Sequence, residues 1–422
     1  MKAYRANILF TPTATRLECV ERGYVVVDDT GMVEGVYPTL PCGYSGLPVE
    51  DFGDVLLIPA MNDLHVHAPQ YRNMGLAMDM ELLPWLNTYS FPEEAKFADV
   101  AYAERMYRRF VHDLWLHGTM RASVYATVHL ASTRMLARLF TEAGMGAYIG
   151  LVGMDRSCPD NLRNTTAEVV RDTEELYAYL SGDALVKAIV TPRFLPACTP
   201  EMLGALGELA ERYALPVQSH LSENRSEVAW VKELEPDSRC YGDAYNKYGL
   251  FGHTPTLMAH CCYSPPDEIE LMRTNGVYMV HCPTSNCNIG SGIAPVRTFL
   301  RAGVPVALGS DISAGHDMSM FGVMRYAMQM SKLQYALSEG EMSFLSLSEA
   351  FYLVTKGGGA FFGNVGSFER GYAFDALVID DSALNIDNYS LPHRLERFIY
   401  IGDDRYITRR FCQGRCLSEP VR

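Results

Sequence analysis

No stretch of this chain approaches the roughly 20 apolar residues needed to cross a bilayer. The opening Met1-Lys2-Ala3-Tyr4-Arg5 lacks the long apolar segment of a signal peptide. Positive charge is also in short supply, with 36 Lys and Arg against 50 Asp and Glu and a net charge of −14. That balance disfavours phosphate backbones and anionic lipid, which need basic patches, so neither a nucleic-acid nor a membrane partner is expected. The 11 cysteines are odd in number and scattered, and neither Cys282/Cys287 nor Cys412/Cys416 has the CxxC spacing of a structural zinc site. Reduced thiols and a cytoplasmic location are the expectation. Four catalytic or cofactor signatures are missing as well. There is no GxSxG elbow, no GxxxxGK[ST] phosphate loop, no HxE with PCxxC and no GxGxxG turn after the first strand.

What is present is a long run of alternating elements. At 422 residues, with 48% hydrophobic and 20% charged, the chain reads as an ordinary soluble protein too long for one small core. Eight apolar, strand-like stretches recur: Val55–His67, Gly118–Val128, Gly146–Asp155, Ala184–Phe194, Leu215–Glu223, Thr256–Tyr263, Gly276–Asn286 and Val304–Asp311. Helical stretches are predicted at Pro92–Leu116, Met202–Tyr213, Glu268–Thr274, Met318–Leu337 and Ser348–Phe362, the second opened by a capping Thr199 and Pro200. Gly357 to Gly363 reads as a helix stop. Strands buried on both faces and alternating with helices imply a parallel sheet. Eight such units predict an α/β fold, a (β/α)8 TIM-like barrel spanning 55–365. At the ends, Tyr24–Val27, Val33–Tyr37, Phe374–Ile379 and Phe398–Gly402 read as strands. Residues 1–54 and 366–422 are expected to pair into one small β-sandwich, since neither end alone buries much surface.

The barrel strands end in chemistry. The first finishes in His65-Val66-His67, and residues two apart on a strand point to one side. The fifth carries His220 and Glu223, the sixth His260 and the eighth Asp311. In a closed barrel these side chains converge on the axis, where several imidazoles and a carboxylate would hold one divalent ion with a place left for water. Such an ion lowers the pKa of water from about 15.7 towards about 7. Glu223 suits proton shuttling to a substrate nitrogen, with a solvated first-turn glutamate as the plain alternative. Asp311 can both ligate and accept the proton of water. A second metal would need a bridging modified lysine at the fourth strand end, where Arg193 stands instead and Lys187 lies well back, so one ion is expected. Zinc is the first expectation, and iron(II) suits the same ligands.

Several stretches resemble the amidohydrolase superfamily and, within it, the guanine deaminase family. They are His65-Val66-His67-Ala68-Pro69-Gln70-Tyr71, Leu82 to Asn87, Thr191-Pro192-Arg193-Phe194, Gln218 to Arg225, Met258-Ala259-His260, His281 to Asn286 and Gly309-Ser310-Asp311. The resemblance implies a single zinc on His65, His67, His220, His260 and Asp311. It implies a catalytic set of Glu223, Asp311 and His260, and a purine received by Gln70, Arg193 and Phe194. The implied reaction is hydrolytic deamination of guanine to xanthine and ammonia, and homodimerisation is expected from the family alone. A structural salt bridge is the other reading of Arg193, and core packing the other reading of Trp85 and Phe194. Met61-Asn62-Asp63-Leu64 and Ile312 to His316 depart from the family pattern beside the substrate, so a related aminohydrolase acting on another amino-substituted purine, pterin or triazine stays open. A catalytically silent assembly protein is the alternative of another class. His281 and His316 are each read as a partner of a ligand or as a pocket wall.

Overall fold

The computed structural model describes residues 1–422. Its centre consists of two four-stranded parallel sheets. One runs Met61–His67, Thr119–Tyr125, Gly146–Gly150, Val186–Ala188, and the other Val217–Leu221, Thr256–His260, Tyr278–His281, Val306–Leu308. Each of the eight predicted stretches therefore contains one central strand. These strands are buried almost throughout, as their near-continuous apolar sequences require. The sheets meet at two junctions. Val190 bridges Val217 in parallel, and Asp311 donates its N–H to the His65 carbonyl at 2.9 Å. The fold is thus mixed α/β with parallel sheets.

The predicted fourth strand is broken, because Ile189 and Val190 separate Val186–Ala188 from Thr191–Pro192, which pairs with Val152–Gly153 instead. Proline cannot donate to a ladder, which limits the continuation. The predicted Val55–His67 strand is likewise two. Val49–Pro59 belongs to a different sheet, and Met61–His67 begins after Ala60.

That other sheet joins the chain ends. Its seven strands run Arg415–Cys416, Ile407–Cys412, Ala376–Ile379, Val49–Pro59, Lys2–Thr13, Arg16–Val27, Val33–Tyr37. The expected Phe398–Gly402 strand is not among them. Leu391–Ile401 is a helix with Pro392 in its first turn, and Arg394, Leu395, Phe398 and Ile399 are its buried positions. Their spacing follows 3.6 rather than 2, and the short window read as a strand hid that period. Arg121, on a central strand, donates from Nε to Asp375 Oδ2 at 2.5 Å beside the terminal sheet, and both residues are buried.

The predicted Pro92–Leu116 helix begins later. Asp99 accepts from the Ala101 and Tyr102 N–H groups and caps Val100–Leu116, while Phe91–Glu94 is a separate turn. That break turns Glu93 and Glu94 inward, where both are buried. Ser348–Phe362 also divides, into Leu347–Tyr352, a wider turn at Leu353–Gly357 and a last turn at Ala360–Phe362.

Candidate functional site

Four imidazoles and one carboxylate gather where the central strands end. His67 Nε2 lies 3.3 Å from His65 Nε2 and 3.2 Å from His220 Nε2. Asp311 Oδ1 lies 3.3 Å from His65 Nε2 and 3.4 Å from His67 Nε2. His260 Nε2 is 3.9 Å from Asp311 Oδ2 and 3.6 Å from Glu223 Oε2. All five predicted ligands are brought together, and all but His220 are fully buried.

The far sides of two rings set their tautomers. His220 Nδ1 donates to the Arg193 carbonyl at 2.6 Å, and His260 Nδ1 donates to Asn286 Oδ1 at 2.9 Å. Each Nε2 is left with a lone pair pointing inward. Burial pushes His65 below its ordinary pKa despite the pull of Asp311, and pushes His67 and His220 well below theirs. Neutral imidazole nitrogens therefore face one another at separations where lone pairs repel, and His260 Nε2 is buried with no hydrogen-bond partner. A positive centre would relieve that arrangement, and nitrogen and carboxylate donors in this number suit a zinc-like ion. Burial raises the Asp311 carboxyl, but His65, His260 and His220 together outweigh it and hold it down to about 2.

The backbone here is tightly specified. His260 and Asp311 are non-glycine residues with φ of +75° and +47°, and such conformations cost roughly 1–3 kcal/mol unless their surroundings enforce them. Asp63 supplies part of that enforcement. Its Oδ1 accepts the His65 N–H at 3.2 Å and the Ser310 N–H at 3.0 Å, and its Oδ2 accepts the Ser310 hydroxyl. Gly309 completes the junction, since a Cβ there would sit 2.7 Å from that of His65.

Glu223 is buried, which removes the solvated reading. It precedes the Asn224 cap of helix Arg225–Leu234, and its Oε1 accepts from Ser291 Oγ at 3.2 Å. Burial and then the Asp311 charge push its carboxyl up to about 8, so the proton-bearing form prevails near neutrality. Behind it Glu227 accepts the Glu223 N–H at 3.0 Å and the Tyr241 hydroxyl at 2.8 Å.

A cavity opens from the cluster, bordered by Gln70, Trp85, Arg193, Phe194, Glu223 and Ile289 among others. The two readings of Arg193 are both realised. It borders the cavity, and it is ion-paired with Glu94, with Nη1 to Oε2 at 2.5 Å and Nη2 to Oε1 at 2.9 Å. Trp85 and Phe194 likewise line the cavity while packing in an apolar cluster with Leu82, Leu86 and Tyr125. Gln70 donates to Glu94 Oε1 at 2.8 Å and Ser90 Oγ at 3.0 Å, and accepts from the Ser313 N–H at 3.2 Å. Ser90, Glu94, Glu227, Ser291 and Asp63 were not singled out from sequence. Pro92-Glu93-Glu94 has the form of an ordinary acidic helix start, and only Asp63 stood within a segment that drew notice. His281 is buried behind His260, whereas His316 is exposed and bonded to Asn288 and Tyr326. Lys187 is exposed.

The Amidohydrolase family model matches residues 56–417. Guanine deaminase of Dictyostelium discoideum is 35% identical, over 98% of this chain and 97% of its own length. The Homo sapiens guanine deaminase is 35% identical over 89% of this chain and 85% of its own. A crystal structure of guanine deaminase from C. acetobutylicum with guanine bound in its active site superposes with a TM-score of 0.97 at 51% identity, covering 99% of this chain and 100% of that one. With four histidines and Asp311 gathered at the strand ends and relatives matching nearly end to end, the chain belongs to the amidohydrolase family and groups within it with the guanine deaminases.

Proposed function

We propose that this chain is a metal-dependent guanine deaminase, converting guanine and water to xanthine and ammonia. The observation that carries the reading is the buried Glu223 carboxyl 3.6 Å from His260 Nε2, lining the same cavity as Arg193 and Gln70. His65, His67, His220, His260 and Asp311 would hold one divalent ion, zinc first and iron(II) second, consistent with the close gathering of their ligand atoms and the unpartnered His260 Nε2. Bound there, the ion supplies Lewis acidity that makes water nucleophilic at neutral pH.

The chain's own groups do the rest. Arg193 donates to the ring carbonyl and Gln70 fixes the orientation of the ring edge, while Trp85 and Phe194 exclude water from its faces. Asp311, ionised, accepts a proton of the attacking water as the new C–O bond forms at the amino-bearing carbon. Glu223 gives its proton to the adjacent ring nitrogen, which neutralises charge developing in the ring. His260 Nε2 stands between Asp311 and Glu223, 3.9 and 3.6 Å from their oxygens, where it would ligate the ion beside the reacting carbon. Asp311 then passes its proton to the amino group, the C–N bond breaks and ammonia leaves, and the new hydroxyl yields its proton to Glu223 as the carbonyl forms, which restores both acids to their starting states.

The same reading extends to architecture. The two parallel sheets are taken as halves of one (β/α)8 barrel covering about residues 55–365. The chain ends, 1–54 with 366–422, form a separate small domain that the sequence suggested as a sandwich, and Leu56–Pro59 go with its sheet. Eleven unpaired cysteines support a reducing, cytoplasmic setting, and no helix is long and apolar enough to cross a membrane. A homodimer is proposed on family grounds, and sedimentation velocity tests it. The decisive assay is ammonia and xanthine release from guanine by the purified, metal-loaded protein. Turnover of a pterin or aminotriazine with none of guanine would reassign the substrate, and no turnover with no bound metal would favour the assembly reading.

A further inference from the structure

Taking that reading as its basis, we infer that Glu94 is a positioning residue that sets the charge preference of the cavity, making it a site for neutral oxopurines rather than their anions. Glu94 is 3% exposed, and Arg193 also 3%. The carboxylate takes both guanidinium edges, with Arg193 Nη1 on Oε2 and Nη2 on Oε1, at 2.5 and 2.9 Å. Nη2 donates in addition to Ser90 Oγ at 3.2 Å, and the Phe91 ring centroid lies 5.0 Å from the guanidinium carbon. Arg193 therefore enters the cavity as half of a neutral pair. Its Nε–H and one Nη1–H are left without a protein acceptor.

The same carboxylate fixes the second recognition group. Gln70 spends both amide N–H bonds on Glu94 Oε1 and Ser90 Oγ, so its amide cannot be reversed, and Oε1 retains one lone pair beyond the Ser313 N–H. One acid thus orders a donor and an acceptor at once, and cancels the charge that would otherwise attract any anion into a dry site. A neutral lactam edge, carbonyl beside N–H, matches what remains. An ionised ring, with acceptors on both positions, gains no net charge attraction and meets the Gln70 lone pair.

The test is ligand discrimination by the holoenzyme in mildly alkaline buffer, where xanthine is largely the monoanion and hypoxanthine is neutral. Competitive inhibition by both is measured for wild type and for Glu94→Gln. The expected result is that hypoxanthine binds about 10-fold more weakly to Glu94→Gln while xanthine binds as well or better, and that KM for guanine rises more than kcat falls. Equal weakening of both ligands, with the preference unchanged, overturns the assignment and leaves Glu94 structural. Ser90→Ala removes a neutral hydroxyl from the same network and should weaken both ligands alike. Should Glu94→Gln not fold, Glu94→Asp decides, because its carboxylate is drawn back one methylene. With the charge kept and only the reach altered, both ligands weaken while the preference for hypoxanthine persists, and loss of that preference with the charge intact overturns the proposal. Wild-type enzyme that turns over no guanine would remove the underlying function instead, which is a separate outcome.

Discussion

The histidine–aspartate cluster proposed to hold metal and the Arg193–Glu94 wall proposed to receive the purine border one cavity and solve opposite problems. At the cluster, the inward nitrogens of four imidazoles crowd one another and Asp311, with His260 Nε2 left without a partner, and buried Asn286, Asp63 and the Arg193 carbonyl keep them there. At the wall, Arg193, Glu94, Ser90 and Gln70 satisfy one another and leave only an edge open. One region is held in readiness for a missing charge, and the other has its own charge cancelled. Unmet and met polar groups are thus distributed by purpose, since an unpaired buried group is costly wherever nothing binds it.

The sharpest way to break the contrast is to remove a ligand. His220→Ala should abolish metal retention and lower kcat by about 1000-fold or more, read by metal analysis of the purified protein and by ammonia release. Next in size, Glu223→Gln should lower kcat by roughly 100- to 10,000-fold while metal content stays at wild-type level, which separates the proton donor from the ligand set. Asn286→Ala leaves every ligand in place but frees the His260 ring, so metal affinity should fall by about 10- to 100-fold in a competitive chelator titration. Gly309→Ala forces a methyl against His65 and should destabilise the protein by about 1–3 kcal/mol, read by denaturant unfolding with metal bound. Smallest, Trp85→Phe should change KM for guanine by no more than about tenfold, because packing is retained and only shape at the cavity wall is lost.

The two regions also differed in how far the sequence revealed them. Histidines and an aspartate at strand ends carry a signal that combines residue type with period, so the convergence of His65, His67, His220, His260 and Asp311 was legible in the sequence, and the eight central strands with it. Glu94 carries no such signal. It stands two residues after Pro92, where acids ordinarily serve a helix N-terminus, and its inward turn depends on the chain breaking at Asp99. The terminal sheet was half legible. Pairing of the two chain ends followed from their lack of buried surface. The true partner strand Ile407–Cys412 was displaced in the reading by Phe398–Gly402, whose apolar residues belong to the last turn of a helix.

The order of the terminal sheet has a consequence for how the protein is made. Strand Val49–Pro59 sits between Lys2–Thr13 and Ala376–Ile379, so its second edge stays unpaired until more than three hundred further residues have left the ribosome. During synthesis the nascent amino-terminal hairpin waits with a free, apolar ladder that invites pairing with neighbouring chains. Arrival of Ala376–Ile379 closes that edge and, through Arg121 and Asp375, ties it to the central sheets, which makes synthesis of this late strand the event that joins the two regions.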